Sequence, residues 1–103
     1  MNNYELASNP STSSTILKTL ANDENSYVRR QVARNPNTSI QTLEKLTNDK
    51  RFYVRCCVAF NPNTSIQTLE KLANDEDSLV RDCVAFNPST PEYIHLSLYY
   101  EQI

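Results

Sequence analysis

Three cysteines and a single histidine are the side chains of this sequence best suited to nucleophilic or metal chemistry. Cys57 and Cys83 occupy equivalent positions of a repeating pattern, Cys56 adjoins the first of them, and His95 lies elsewhere in that pattern. Zinc needs four ligands, and the one histidine lies in a different part of the repeat from the cysteines. An odd count with two adjacent cysteines is a poor disulfide framework and indicates a reducing compartment. We therefore predict a cytoplasmic protein with no metal site, no cofactor and no catalytic residue, in which the cysteines are small buried side chains.

Arginines and aspartates recur together, each arginine six residues after an aspartate. The pairs are Asp23 with Arg29, Asp49 with Arg55, and Asp75 with Arg81. Because guanidinium and carboxylate groups form strong charge-assisted hydrogen bonds, these pairs predict a structural ladder that ties successive segments together. The alternative is a row of arginines that grips phosphates, and the accompanying aspartates disfavour it. A net charge of −2 and a pI of about 5.3 also give no general affinity for nucleic acid.

The dipeptide Asn-Pro recurs at a constant spacing, at 9–10, 35–36, 61–62 and 87–88. At that period the chain divides into full units 7–32, 33–58 and 59–84, and the last two are identical at most positions without a gap. A partial helix at 1–6 precedes them, and a partial or capping unit at 85–103 follows. Self-similarity at a fixed period is the signature of repeat architectures, so we predict that residues 1–103 form one repeat domain.

Each unit carries two helix patterns and no strand pattern. The first helix follows a threonine at 12, 38, 64 or 90, which we predict to be its N-cap, with Gln41 and Gln67 completing capping boxes. Ile40, Leu43 and Leu46 then give an apolar stripe. The chain has no glycine, so we interpret the asparagine of each following Asn-Asp pair as a left-handed C-terminal residue and the aspartate as the N-cap of the second helix.

The second helix ends before each Asn-Pro, because proline disfavours helical geometry in the residue before it. In the second unit Tyr53, Val54, Cys57 and Val58 predict the buried face, and equivalent positions do so in the other units. Neither helix can cover its apolar face within one pair, so neighbouring units must stack. The sequence therefore predicts an all-α superhelix, or solenoid, of 26-residue helix pairs.

The stretch VAFNPNTSIQTLEKLANDEDSLVRDCV resembles a repeat of the bacterial leucine-rich-repeat variant family. The residues in register are Asn61, Pro62, Thr64, Leu69, Leu72, Ala73, Asp75, Val80, Arg81 and Val84. The chain also resembles the wider HEAT class, in which Val-Arg follows an aspartate by five residues. The resemblance implies a right-handed superhelix that scaffolds partner proteins, and it allows one helix of each pair to be 3₁₀. The iron–sulfur segment of some family members is not transferred, because residues 1–6 contain no cysteine.

Removing the predicted buried face from each second helix leaves an outward stripe. Its members are Ser26, Arg30 and Arg34, then Phe52, Cys56 and Phe60, then Ser78, Asp82 and Phe86. Exposed apolar patches mark interaction sites, and aromatic residues are their usual anchors. We therefore predict a partner groove built on Phe52, Cys56, Phe60 and Phe86, with Arg30 and Arg34 flanking one end and Asp82 the other. The alternative is that Phe60 and Phe86 fold back between repeats as core.

The C-terminal unit differs from the others in two ways. His95 aligns with the core leucines at 17, 43 and 69, so we interpret it as part of a polar cap. The last helix is apolar on more than one side, through Tyr93, Ile94, Leu96, Leu98, Tyr99, Tyr100 and Ile103. This pattern leaves two readings open, a homo-oligomer formed through this helix or a longer repeat array.

Protein interaction is the function that these patterns favour. No apolar stretch approaches the ~20 residues of a membrane helix, so we expect no membrane partner. Charge is distributed unevenly along the chain: residues 1–58 hold eight Lys and Arg against five Asp and Glu, whereas residues 59–103 hold two against seven. We predict a non-catalytic scaffold for an unidentified protein partner. A nucleic-acid-binding solenoid is the alternative, and a HEAT-like enzyme is a third reading.

Overall fold

The computed structural model describes residues 1–101, and Ile103 of the predicted C-terminal apolar set lies outside them. Within the described residues the chain is all helical, without strands, as the sequence predicts. The helices are α1 (Asn3–Ser8), α2 (Ser14–Leu20), α3 (Ser26–Arg34), α4 (Ile40–Leu46), α5 (Phe52–Phe60), α6 (Ile66–Leu72), α7 (Ser78–Phe86) and α8 (Glu92–Glu101). None of them is both long and apolar enough to cross a bilayer.

The helices form two rows that run along the molecule. The second helices α3, α5 and α7 contact one another directly, and α1 extends this row before α3. The first helices α2, α4 and α6 make their main contacts with the second helices on either side of them in the chain. The molecule is accordingly elongated, with extents of 47 × 21 × 17 Å.

The core lies between the two rows and repeats with every unit. It is built from the predicted valines and leucines, which are Val28, Val32, Val54, Val58, Val80 and Val84 on the second helices and Leu17, Leu20, Leu43, Leu46, Leu69 and Leu72 on the first. Burying one such side chain contributes about 1.5–3 kcal/mol. Because every pair meets neighbours of the same shape, the same residue types recur at these positions.

The buried face of the second helices is shifted by one residue from the prediction. In α5 it consists of Val54, Arg55, Val58 and Ala59, whereas Tyr53 and Cys57 are only half-buried. One residue is about 100° of helix rotation, so Val54 and Val58 stay in the buried face while Arg55 and Ala59 replace Tyr53 and Cys57. The cause is the contact between repeats, where the arginine must reach the next unit and the small alanine allows close approach.

The predicted stripe of the first helices is partly wrong for a similar reason. Leu43 and Leu46 are buried, but Ile40 is 47% exposed. Thr42 and Thr47 are buried beside the two leucines. Residues at these spacings share one side of a helix, so the buried face is centred away from Ile40.

The predicted threonine caps are displaced by one residue. Ser13, Ser39 and Ser65 are the N-caps of α2, α4 and α6, and their hydroxyls accept hydrogen bonds from backbone N–H groups three residues later. The threonines at 12, 38, 64 and 90 instead donate to carbonyls six residues earlier, at 2.5–2.7 Å. Those carbonyls lie in the last turn of the preceding helix, and each also accepts from the backbone N–H of the asparagine that follows the helix, at 3.1–3.3 Å. Pro91 occupies the position that Ser13, Ser39 and Ser65 hold in the other units.

The predicted capping boxes do not form either. Gln41 and Gln67 are exposed and form no hydrogen bond to the caps anywhere in residues 1–101. The residue three after Ser39 is Thr42, whose backbone N–H and hydroxyl both bond to the serine hydroxyl, at 3.2 and 3.0 Å. The serine and threonine therefore replace the expected threonine and glutamine.

The turn between the two helices of each unit contains no left-handed residue. All described residues have negative φ, which corrects the interpretation of Asn22, Asn48 and Asn74. The C-caps are Ala21, Thr47 and Ala73, all right-handed. The aspartates at 23, 49 and 75 are not N-caps, since they accept from the N–H two residues later, and the cap positions are Asn25, Arg51 and Asp77. The fold thus has no position in residues 1–101 that requires glycine.

Candidate partner-binding face

The buried side of each second helix determines which residues its opposite side presents. Tyr53 and the residues three, four and seven positions after it share one side of α5, and the equivalent positions share one side of α3 and of α7. We call these twelve residues the second-helix face. They are Tyr27, Arg30, Gln31 and Arg34 on α3, Tyr53, Cys56, Cys57 and Phe60 on α5, and Leu79, Asp82, Cys83 and Phe86 on α7, and none of them is fully buried.

The structure places the predicted groove residues on or beside this face. Phe60 is 56% exposed and Phe86 is 73% exposed, so neither folds back between the repeats. The position that faces the next repeat is taken by Ala33 in α3 and Ala59 in α5, which are fully buried. Phe52 begins α5 at the edge of the face and is 39% exposed. The phenylalanine side chains that the sequence left undecided are therefore surface residues.

An aromatic cluster on the same face was missed because Tyr27 and Tyr53 were expected to be core. The rings of Tyr27 and Tyr53 stack with centroids 5.7 Å apart and planes at 13°. Phe52 meets Tyr53 edge to face, with centroids 5.6 Å apart, and the Ser26 hydroxyl hydrogen-bonds to the Tyr53 hydroxyl. Leu79 continues the row on α7 and is 51% exposed. Together these side chains extend the apolar surface beyond the predicted groove.

The sequence contained a signal for this face that was not used. Buried positions of the second helices keep their residue type in all three units, as Val28, Val54 and Val80 do. The face positions change from unit to unit, from Arg30 to Cys56 to Asp82. A contact that repeats requires a repeated side chain, whereas a side chain outside the stack is free to vary.

A cavity of about 450 Å³ opens on the face between the C-terminal halves of the second helices. It is lined by Arg34, Cys56, Cys57, Phe60, Asn61, Pro62 and Cys83. The cysteines are half-buried here and free, so they are not the fully buried small side chains that the sequence predicted. Within residues 1–101, no group of three or more histidine, cysteine or acidic side chains is placed to hold a metal ion.

Burial keeps the Cys56 and Cys57 thiols protonated. It raises the pKa of Cys56 to about 12, with a further contribution from a hydrogen bond to Cys83. Burial also raises the pKa of Cys57, although the neighbouring Arg30 and Arg34 guanidinium groups act in the opposite direction. Since the thiolate is the nucleophile and the metal ligand, these cysteines contribute apolar surface rather than reactivity at neutral pH.

The predicted pairs of arginine and aspartate lie between the repeats. The Arg29 guanidinium donates from Nε to Oδ2 of Asp49 at 2.7 Å and from Nη2 to Oδ1 at 3.3 Å. Arg55 contacts Asp75 in the same way, at 2.9 and 3.2 Å. These hydrogen bonds raise the pKa of Arg29 and Arg55, against an opposing effect of burial. Both arginines therefore serve the stack and are not available to grip phosphates.

Each arginine also binds the unit that contains it. Nη1 of Arg29 donates to the carbonyl of Asp23, Nη1 of Arg55 to that of Asp49, and Nη1 of Arg81 to that of Asp75, at 2.6–2.8 Å. The carboxylate of Asp23 accepts from Nδ2 of Asn3 at 2.9 Å. Asn3 lies one full period before Arg29, so in α1 an asparagine takes the place of the arginine.

A second ladder, formed by the Asn-Pro asparagines, was not anticipated from the sequence. Asn35, Asn61 and Asn87 are buried. Nδ2 of Asn61 donates to the carbonyls of Ala33 and Asn35 in the preceding unit, at 2.8 and 3.2 Å, while its Oδ1 accepts from the N–H of Asn63. Asn35 and Asn87 repeat this arrangement. In the sequence these asparagines mark the ends of helices, and their strict recurrence also indicates a structural contact.

The C-terminal helix places its side chains differently from the other first helices. Ile94 and Leu98 of α8 are buried, and His95 is half-buried where the other units have fully buried leucines. Tyr93, Leu96, Tyr99 and Tyr100 are exposed. A polar residue thus stands at the position that was interpreted as a cap, and an apolar surface surrounds it.

The stretch from Val28 to Lys50 contains one copy of the contacts that join the repeats, made by Asn35, Thr38, Leu43 and Asp49. Residues 28–50 match the family model of the leucine rich repeat variant. The chain is similar to the leucine rich repeat variant over these residues. No curated protein and no solved structure matched the chain.

The match to the variant repeat covers parts of both helix rows. It includes most of α3, the Asn-Pro turn, α4 and the turn that follows it. The buried asparagine, the threonine that bonds back to the preceding helix, and the aspartate of the ladder all fall inside it. The matched stretch therefore contains residues that join repeats, and most of the second-helix face lies outside it.

Proposed function

We propose that this chain is a non-catalytic protein-interaction module that binds a partner protein on its second-helix face. The observation that carries the proposal is a set of exposed apolar side chains on the second helices, which are Tyr27, Phe52, Phe60, Leu79 and Phe86. A surface of this kind usually marks an interaction site, and aromatic side chains are favoured as anchors. Helical repeats such as the leucine rich repeat variant are generally suited to this role.

We also infer that the repeats form a right-handed, HEAT-like superhelix with the second-helix face on its concave side. The second helices contact one another directly, whereas the first helices pack chiefly against second helices. A row that is more closely spaced lies on the inside of a curve. A concave face suits the extended binding surfaces that such repeat proteins use.

A protein partner is favoured over nucleic acid by the fate of the repeated arginines. Arg29 and Arg55 are bound to Asp49 and Asp75, so they do not form a free basic row of the kind that phosphate binding needs. A catalytic role is not proposed, because burial raises the pKa of Cys56 and Cys57 and leaves them unactivated. The free cysteines support a reducing, cytoplasmic location.

A homo-oligomer through α8 is a second proposal, supported by a different observation. Tyr93, Leu96, Tyr99 and Tyr100 are exposed together on this helix. Sedimentation of the purified chain at several concentrations tests it. We expect a change from monomer to dimer that Leu96→Ala and Tyr100→Ala together abolish, and a monomer at every concentration would contradict the proposal.

The proposed function is tested by capture of proteins from the source organism with matched variants. The face variant carries Phe52→Ala, Phe60→Ala and Phe86→Ala. The control carries Ile40→Ala and Ile66→Ala, which remove exposed apolar side chains of 47% and 46% exposure from the other helix row. We expect a partner that wild type and control retain and that the face variant loses. Equal recovery with all three proteins would contradict binding through this face.

A further inference from the structure

The cavity on the second-helix face combines an apolar lining with one charged residue. Cys56, Cys57, Cys83 and Phe60 supply apolar surface, and Arg34 is the charged member of the lining. Pockets of ~300–1,000 Å³ that are mainly apolar, with a few placed polar groups, are the usual form of specific binding sites. The volume of about 450 Å³ falls in this range.

A second arginine stands beside the same cavity. Arg30 is half-buried on α3, one turn before Arg34, and its guanidinium lies close enough to the Cys57 thiol to lower the pKa of that thiol. Neither Arg30 nor Arg34 forms an ion pair within residues 1–101, in contrast to Arg29 and Arg55. The apolar cavity thus has two positive charges at one side that the chain itself does not neutralise there.

We propose that this cavity takes an apolar anchor side chain from a segment of the partner protein, and that a carboxylate next to this anchor pairs with Arg34. The proposal rests on the proposed function and specifies the chemistry of the partner. Charge complementarity selects an acidic segment, because a guanidinium binds a carboxylate through two parallel hydrogen bonds. The anchor fits the lining formed by Phe60 and the three cysteines.

Two features of the surroundings favour a polypeptide segment as the occupant. The apolar surface continues outside the cavity, over Tyr27, Tyr53 and Leu79 on one side and Phe86 on another. A small molecule in the cavity would leave these side chains uncovered, whereas a chain of several residues covers them. The acidic Asp82 lies on the last second helix, so the preference for a carboxylate is confined to the end of the face near α3.

The test uses a phage-displayed library of random dodecapeptides selected against the full chain. Selected sequences are then synthesised with a fluorescein label, and their binding is measured by fluorescence anisotropy. We expect selected peptides to carry Leu, Ile, Met or Phe within two residues of Asp or Glu. Replacing that acidic residue by Lys, or the anchor by Ala, should each weaken binding about tenfold or more.

Charge reversal on the protein gives the matched comparison. Arg34→Glu should weaken the acidic peptides about tenfold or more and should restore binding of the peptides in which Lys replaces the acid. Arg51→Glu is the control, because Arg51 is exposed at the start of α5 and does not line the cavity. We expect it to change affinity less than about twofold. Circular dichroism of each variant shows that the fold is retained.

The possible outcomes separate this inference from the proposed function. Peptides that lose binding with Phe60→Ala but are indifferent to Arg34→Glu would overturn the inference and leave the binding face in place. Peptides that are lost with Ile66→Ala and retained with Phe60→Ala would overturn both. A library that yields no binder would overturn the inference. Dimers of the chain that Arg34→Glu dissociates would also overturn it, because the occupant of the cavity would then be a second copy of the chain.

Discussion

The interface between repeats and the second-helix face differ in how strictly their residues recur. Between the repeats, valine, asparagine, threonine, leucine and aspartate return at the same positions in each full unit. On the face, the same helix position holds Arg30, then Cys56, then Asp82. Every interior position meets an identical neighbour, so one residue type satisfies all copies. The outward side of the face is not covered by another helix of residues 1–101, so its side chains are not required to be the same in every unit.

The largest expected effect in this comparison comes from a buried asparagine. Asn61→Ala should lower the free energy of unfolding by about 3 kcal/mol, because two carbonyls and one N–H inside the stack lose their partner. Urea denaturation followed by circular dichroism measures the change. Asn63→Ala is the control, since this exposed residue contributes one bond, to the Pro36 carbonyl, and should cost about 1 kcal/mol. Equal losses would contradict a special role for the buried ladder.

The ladder of charged groups should give the next largest effect. Asp49→Asn keeps the size of the side chain but removes the charge that faces Arg29, so we expect a loss of about 2 kcal/mol in unfolding free energy. The Asp49 side chain is only 6% exposed and the Arg29 side chain 16%, so water replaces the lost interaction poorly. Asp82→Asn makes the same change on the face and should stay within about 0.5 kcal/mol. Similar losses at both positions would remove the distinction between the regions.

Cys56 should react more slowly than its half-buried position on the face would suggest. At pH 8 the alkylation of Cys56 by iodoacetamide should be about two orders of magnitude slower in the folded chain than in urea, because burial raises its pKa to about 12. The folded chain keeps this proton between pH 9 and 12 whereas the unfolded chain loses it, so the free energy of unfolding should fall as pH rises through that window. Mass spectrometry of the labelled peptides follows the rate. Equal rates in both states would contradict the burial.

The smallest effect on stability is expected at Phe86, the most exposed of the apolar residues of the face. Phe86→Ala should change the free energy of unfolding by less than about 0.5 kcal/mol, because its side chain is 73% exposed. Val58→Ala, in the core of the same row, should cost about 2–3 kcal/mol. Chemical denaturation of the two variants compares them directly. A loss at Phe86 as large as the loss at Val58 would show that the phenylalanine belongs to the interior.

Much of the fold could be predicted from the repeat period and from the residues at which helices begin and end. The Asn-Pro spacing gives the repeat length, and the buried valines and leucines follow from apolar residues that recur at this period. The details of the turns could not be predicted in the same way. Ser39 and Thr38 are both good capping residues, and only the position of the preceding carbonyls decides that the threonine bonds backward while the serine caps α4.

The candidate site was predicted in outline and was incomplete. Phe52, Cys56, Phe60 and Phe86 were expected to form a groove, and the structure places them on or beside one face. Tyr27, Tyr53 and Leu79 were assigned to the core instead, because valine and tyrosine are adjacent and apolarity alone does not say which of two neighbours points inward. The cavity beside Arg34 was not predictable at all, since three helices from different units form it.

The sequence alone determined the repeat, the number of helices in each full unit and the residues available to join one unit to the next, because these follow from local preferences and from a period that is visible in the chain. The tertiary structure decided which side of each second helix meets a neighbour and which side remains outside. A shift of one residue rotates a helix face by about 100°, and the choice between the two rotations depends on how Arg55 and Ala59 fit against the adjoining unit. That fit is a property of the assembled stack, and the exposed face follows from it.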